Sequence, residues 1–223
     1  MEEIIVMSVG GSIIVPDKVH HKFLKELKEI VATDKRKFVI VTGGGKTARD
    51  YIEALREEGI KSYLKQNRVG IEATRLNAVL LAEFFEKYNL DVPKSIAEVK
   101  NLLKHHKVVI TGGFRPGSTS DGTAASIAEA VGSKLFINMT NVPGLYTKDP
   151  KKPGARLIPS ITYEKFNRFF KNFEEKPGQH FVLDKQAARI VQKNKIIVVI
   201  LKGNKNLRMC LQHRRFVGTV IHE

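Results

Sequence analysis

Three observations predict an α/β layered domain. Five β-branched runs, at 4–9, 38–42, 107–111, 135–139 and 196–201, are too short and too uniformly apolar for surface helices and read as buried parallel strands. Longer segments of helical period separate them, and such alternation calls for helices layered on a sheet. Finally, three of the five strands run directly into glycines.

Taken in order, the first strand ends at Gly10-Gly11-Ser12, and a helical period follows over 19–32. The second strand ends at Gly43-Gly44-Gly45-Lys46, with helical periods over 46–58, 70–88 and 95–104. The third ends at Gly112-Gly113 and continues through Arg115-Pro116-Gly117-Ser118-Thr119-Ser120-Asp121 into a helix over 122–131. After the fourth strand, the proline-rich stretch 150–159 is the one plausible lobe boundary. Helices over 163–172 and 184–194 bracket the way to the fifth strand. The tail, 207–212 and then 216–221, reads as a closing hairpin whose exposed turn holds His213, Arg214 and Arg215.

Composition bounds the function. With 223 residues, 42% hydrophobic and 27% charged, the chain can build one sizeable core. One cysteine, Cys210, excludes an intramolecular disulfide framework and a zinc site of clustered thiolates, and it fits a cytoplasmic location. No apolar run approaches the ~20 residues of a membrane span, and the acidic start Met1-Glu2-Glu3 is unlike a secretory signal. The net charge of +15 is uneven: residues 1–150 carry 22 Lys+Arg against 18 Asp+Glu, whereas 151–223 carry 16 against 5. That basic third has no long cationic run and little aromatic interleaving, so it reads as a solvated face before it reads as a nucleic-acid surface.

Parallel strands bring their following loops to one sheet edge. Glycine lets backbone approach a bulky anion closely, and a helix N-terminus offers unpaired N–H groups and partial positive charge. Three such loops together suit phosphates, although any one pair would also serve as a tight strand-to-helix turn. Two familiar phosphate motifs fail at the second loop. A P-loop needs its first glycine at position 40, which is Ile40 inside the strand. A dinucleotide site wants an acid about 20 residues on, and positions 60–66 hold none.

In order, Val9-Gly10-Gly11-Ser12, Gly43-Gly44-Gly45-Lys46 with Ala48-Arg49, Gly70-Ile71 with Thr74-Arg75 and Asn77-Ala78, Pro116-Gly117 with Thr119 and Asp121, Thr140-Asn141-Val142 with Gly144, Tyr146-Thr147 and Asp149-Pro150, Asp184 with Ala187-Ala188, and Gly218-Thr219 resemble the amino-acid kinase family. Within it they are most similar to the archaeal type of uridylate (UMP) kinase, over nearly the whole chain. The resemblance implies a three-layer α/β/α sandwich on a mainly parallel central sheet, carbamate-kinase-like, in one domain. An acceptor-binding lobe would span about 1–150 and an ATP-binding lobe about 135–223; members of this type are commonly hexamers.

Carried over by position, the resemblance implies that Gly10 and Gly11 line the phosphate path, Gly44 meets the acceptor nucleotide, and Gly45 and Arg49 contact ATP. Thr140, Asn141, Tyr146 and Asp149 would hold the adenine nucleoside. Phe114, Arg115, Pro116, Gly117, Ser118, Thr119 and Ser120 would cradle UMP, with Asp121 at the end of that loop and Asn67 at the acceptor ribose. Lys46 and Asp184 would serve the transfer itself, and Mg2+ would be held mainly by the nucleotide phosphates. Local alternatives stand beside these roles: Asp121 and Asp149 suit N-cap or turn positions, and Arg49 suits a helix-surface pair with Glu53.

The chain departs from the family pattern in places. Ser8 stands where many relatives have a lysine clamp, Asn67 where an aspartate is usual, and Phe114, Arg115 and Ser118 where threonine and histidines are usual. Most departures fall on the acceptor side. The expected activity is phosphoryl transfer from ATP to UMP. The alternatives are a same-fold kinase for another phosphate or a carboxylate, and a weakened nucleotide-binding regulator whose basic face meets RNA.

Overall fold

The computed structural model describes residues 2–85, 89, 91–171 and 183–223. Seven strands form one sheet: β1 (Ile4–Val9), β2 (Lys37–Thr42), β3 (Val108–Thr111), β4 (Leu135–Met139), β5 (Ser160–Thr162), β6 (Ile197–Leu201) and β7 (Gly218–His222), in the spatial order β3-β2-β1-β4-β6-β7-β5. Every neighbouring pair is parallel except β6–β7. The five strands read from the sequence are all present, flanking one another as β3-β2-β1-β4-β6.

Their uniform apolarity follows from burial on both faces. Ile5, Met7, Phe38, Ile40, Ile110, Ile137 and Leu201 belong to one core, whereas Val6, Val39, Val41, Val109, Phe136, Val198 and Ile200 belong to the other. Full burial of a side chain such as Phe38 or Phe136 contributes roughly 1.5–3 kcal/mol, so neither face can be left to water. On the first face lie α1 (Gly11–Ile14), α2 (His21–Thr33), α4 (Tyr63–Ala82) and α9 (Asn204–Leu211); on the second lie α5 (Ile96–Leu102), α6 (Ser120–Val131), α7 (Tyr163–Lys171) and α8 (Lys185–Lys193). This is the expected three-layer arrangement. Helix α3 (Gly45–Glu57) buries no residue fully and packs outside α4.

Three local readings change, and the end of a fourth, position 172, lies outside the described residues. The helix expected over 70–88 starts at Tyr63, because Ser62 caps it through the Lys65 amide, and it ends at Ala82; positions 86–88 lie outside the described residues. The helix expected over 163–172 is described to Lys171. Segment 207–212 is helical and not a hairpin arm: Leu207 and Leu211, one turn apart, are both buried against the α2 side, which is the spacing of a helix face. The final strand therefore pairs with β6. Strand β5 was not expected at all; three residues are too few to show a period. Among the described residues no helix is long and apolar enough to cross a membrane.

Candidate functional site

Because β3, β2, β1 and β4 are adjacent and parallel, the segments that follow them emerge together. The first two glycine loops interpenetrate. A Cβ built on Gly11 would lie 1.9 Å from the Gly45 nitrogen, and one on Gly43 would lie 2.3 Å from the Gly11 nitrogen. Gly45 also has φ +64°, with its Cβ direction blocked 2.3 Å away by the Gly11 carbonyl oxygen. These positions exclude side chains because backbone packs on backbone, before any ligand is considered. Neither α1 nor α3 carries a side-chain cap, so Gly10 and Gly44 open their helices with bare backbone.

Helix α4 ties the loops together. Asn77 donates through Nδ2 to the carbonyls of Gly43 (2.7 Å) and Gly44 (3.2 Å). Thr74 Oγ1 accepts from the Gly113 amide at 2.7 Å, and Thr42 Oγ1 donates to the Thr74 carbonyl at 2.8 Å. Arg75 donates through Nη2 to the Phe114 carbonyl at 3.2 Å. On the same helix Asn67 holds a buried Nδ2 with no partner among the described residues.

A polar cluster forms where the second core meets this edge. Ser8 and Asn138 are cross-strand neighbours on β1 and β4, and both reach Asp121 in the first turn of α6. Ser8 Oγ donates to Oδ1 at 2.7 Å and Asn138 Nδ2 to Oδ2 at 3.1 Å. Burial pushes the Asp121 carboxyl up to about 6; the two bonds oppose the rise, and the nearby Asp184 charge adds to it. Asp184 caps α8, accepting from the Ala187 amide at 2.8 Å, and its other oxygen accepts from Thr119 Oγ1. Thr119 in turn caps α6, accepting from the Gly122 amide at 2.9 Å. Asp121 is thus a cluster member and not the cap. Ser118 Oγ meets Thr123 Oγ1 at 3.1 Å, while Arg115, Pro116 and Gly117 are exposed and Ser120 is half-buried.

The loop after β4 is fastened to the far side of the sheet. Thr140 donates its amide to the Leu201 carbonyl at 3.0 Å, beside Gly10, whose own amide reaches the Met139 carbonyl at 2.9 Å. Buried Thr219 accepts from the Leu145 amide at 2.8 Å and donates to the Ile158 carbonyl at 2.6 Å. Tyr146 bridges to Leu157. Asn141 is exposed, and Asp149 accepts from the Lys151 amide at 3.0 Å, the bond of a local turn.

The two cations nearest the start of α3, Lys46 and Arg49, are on its flank. Lys46 Nζ pairs with Asp50 at 2.7 Å, which raises the lysine pKa and keeps it protonated. Arg49 Nη2 donates to the Pro16 carbonyl at 3.3 Å, and not to Glu53. The structure therefore gathers the glycines, Thr119, Asp121 and Asp184 into a connected edge. Lys46 and Arg49 stand at its margin, the first paired with the exposed Asp50 carboxylate and the second with the Pro16 carbonyl. Sequence reading missed Ser8 as a donor, Asn138, and the loop contacts of Thr74, Arg75 and Asn77. A signal existed for the first two: each is the lone polar residue inside an apolar strand.

The amino acid kinase family model matches residues 3–202, so the chain belongs to that family. The uridylate kinase of Thermoplasma volcanium is 36% identical over 226 residues, covering 100% of this chain and 99% of the relative. That of Archaeoglobus fulgidus is 37% identical over 222 residues, covering 97% and 99%. The crystal structure of the Archaeoglobus fulgidus uridylate kinase superposes with a TM-score of 0.86 at 34% identity, covering 99% of this chain and 100% of that one.

Proposed function

We propose that this chain transfers the γ-phosphoryl group of ATP to UMP, giving UDP and ADP. The observation that carries the reading is the meeting of three strand-end loops at one edge, two of them locked backbone to backbone. Full-length similarity to uridylate kinases supports the choice of UMP. Joining two polyanions end to end requires alignment and charge neutralisation more than a protein nucleophile. A phosphate oxygen of UMP attacks the γ-phosphorus, and the bond from that phosphorus to the bridging oxygen of ADP breaks. The uncapped α3 N-terminus and the Gly10–Gly11 backbone line the phosphate path. Arg49 and Lys46 supply positive charge once drawn from Pro16 and Asp50. Segment 114–120 receives the acceptor, Asn67 offers its amide to the ribose, and the loop bearing Thr140, Asn141, Tyr146 and Asp149 receives adenosine.

The donor set fits magnesium carried by the phosphates. All four oxygens of Asp121 and Asp184 are already engaged by Ser8, Asn138, Thr119 and the Ala187 amide, leaving Asp184 to approach such an ion through water. Magnesium held there would supply charge neutralisation to the transferring group. The same reading places acceptor binding in about 1–150 and ATP binding in about 135–223, and sets the enzyme in the cytoplasm. It also makes the chain a homo-oligomer, a hexamer: Tyr51 and Leu76 are exposed and line one cavity between α3 and α4, apolar surface suited to a second copy.

The test is a coupled ADP-release assay across UMP, CMP, dUMP, isopentenyl phosphate and acetylglutamate, with light scattering for the assembly. UMP should give the highest kcat/KM. Preference for another acceptor overturns the substrate, and salt-dependent RNA retention without ADP release overturns the kinase.

A further inference from the structure

Arg75 is a cation that the fold places against the acceptor loop and that no role in the transfer so far uses. Its side chain is 18% exposed. Nη1 pairs with Glu72 at 2.6 Å on the outer side, and Nη2 reaches the Phe114 carbonyl at 3.2 Å on the inner side. The third nitrogen, Nε, is buried and has no partner among the described residues. Three consecutive residues at the loop's start meet two consecutive residues of α4. A Cβ on Gly112 would lie 2.7 Å from the Arg75 nitrogen, the Gly113 amide donates to Thr74 Oγ1, and the Phe114 carbonyl accepts from Arg75. The loop's other end is held by Thr119 on Asp184. Between these two pins Arg115, Pro116 and Gly117 are exposed.

A carbonyl bonded to a guanidinium is a stronger anchor than one bonded to a neutral group, and it is lost whole when the side chain is truncated. Glu72 is 62% exposed, so its pairing steadies the arginine only weakly. The consequential contact is therefore the inner one. We propose that Arg75 is a positioning residue for the acceptor: by gripping the Phe114 carbonyl it fixes where segment 115–118 meets the acceptor's phosphate. The proposal rests on segment 114–120 being the acceptor loop, as in the reading above. It predicts an effect on one substrate and not the other, because no contact described for Arg75 touches the β4 loop.

The experiment compares wild type with Arg75→Ala, Arg75→Lys and Glu72→Gln. Steady-state kinetics with UMP and ATP varied separately should show the Arg75→Ala KM for UMP raised about tenfold or more, the range of one charged hydrogen bond. The KM for ATP should stay within about twofold, the expectation for a contact remote from that substrate. Arg75→Lys, with one reaching donor, should lie between, and Glu72→Gln should follow wild type. Amide exchange over 113–120 without nucleotide should quicken in Arg75→Ala and not in Glu72→Gln. Equal rises in both KM values, an unchanged KM for UMP, or unaltered exchange would overturn the proposal. Should Arg75→Ala fail to fold, the Arg75→Lys kinetics and exchange decide. If wild type prefers another acceptor, the UMP assignment falls while the same split is read with that acceptor; if it turns over none, exchange alone decides.

Discussion

The two sides of the site are held by different balances of backbone packing and side-chain bonding. On the β1–β2–β3 side, position comes from the absence of side chains: Gly11, Gly43 and Gly45 let two loops interlock at distances no Cβ permits, and α4 bonds to their backbone from behind. On the β4–β6–β7 side, close approach at Gly144 and Gly218 is joined by a side chain: buried Thr219 fastens both strands of the loop that follows β4. The first device is rigid and intolerant of any substitution. The second depends on two hydrogen bonds, so its failure is graded.

Gly11→Ala should have the largest effect, destabilising the fold by more than about 3 kcal/mol, since backbone and not a flexible side chain must yield. Thermal or urea unfolding checks this, and a change under 1 kcal/mol would show that the loops can part. Thr219→Val leaves the buried Leu145 amide and the Ile158 carbonyl without that partner, costing about 2–4 kcal/mol. In the proposed reaction it should weaken ATP more than UMP; the reverse order of effects would erase the contrast between the sides.

Arg49→Ala separates activity from stability. Its side chain makes one long bond on an exposed flank, so unfolding should be unaltered, while turnover should fall at least about tenfold for a lost charged phosphate contact. An unchanged rate removes Arg49 from the site. Asp121→Asn is a matter of pH. With its folded pKa raised to about 6, Asp121 binds a proton more readily folded than unfolded. Its contribution thus falls as pH rises from about 4 through the folded pKa, and then levels. Relative to wild type, Asp121→Asn should gain melting temperature between pH 4 and pH 7; parallel pH curves would show that the carboxyl is not perturbed.

The strands and the loops between them were legible for different reasons. Five runs betrayed themselves because burial on both faces demands unbroken apolarity, and the glycines at their ends because close backbone approach tolerates nothing else. Segment 207–212 was misread because two leucines four apart in a short stretch fit either period until a partner surface chooses between them. β5 has too few residues to carry a pattern. Among site residues, Thr119 and Asp184 stood out by type, but that they bond to each other depends on α6 and α8 packing side by side, 65 positions apart in sequence. Arg75 and Asn77 entered only as part of the family resemblance, and nothing in their spacing says that they face loops.

The sequence by itself determined a doubly covered parallel sheet whose strand ends are stripped of side chains, because burial and close approach act residue by residue. The tertiary structure alone decided which loop carbonyl each α4 side chain holds, and that Ser8 and Asn138 converge on Asp121. Such partners are chosen by strand order and helix placement, and those are properties of the assembled chain.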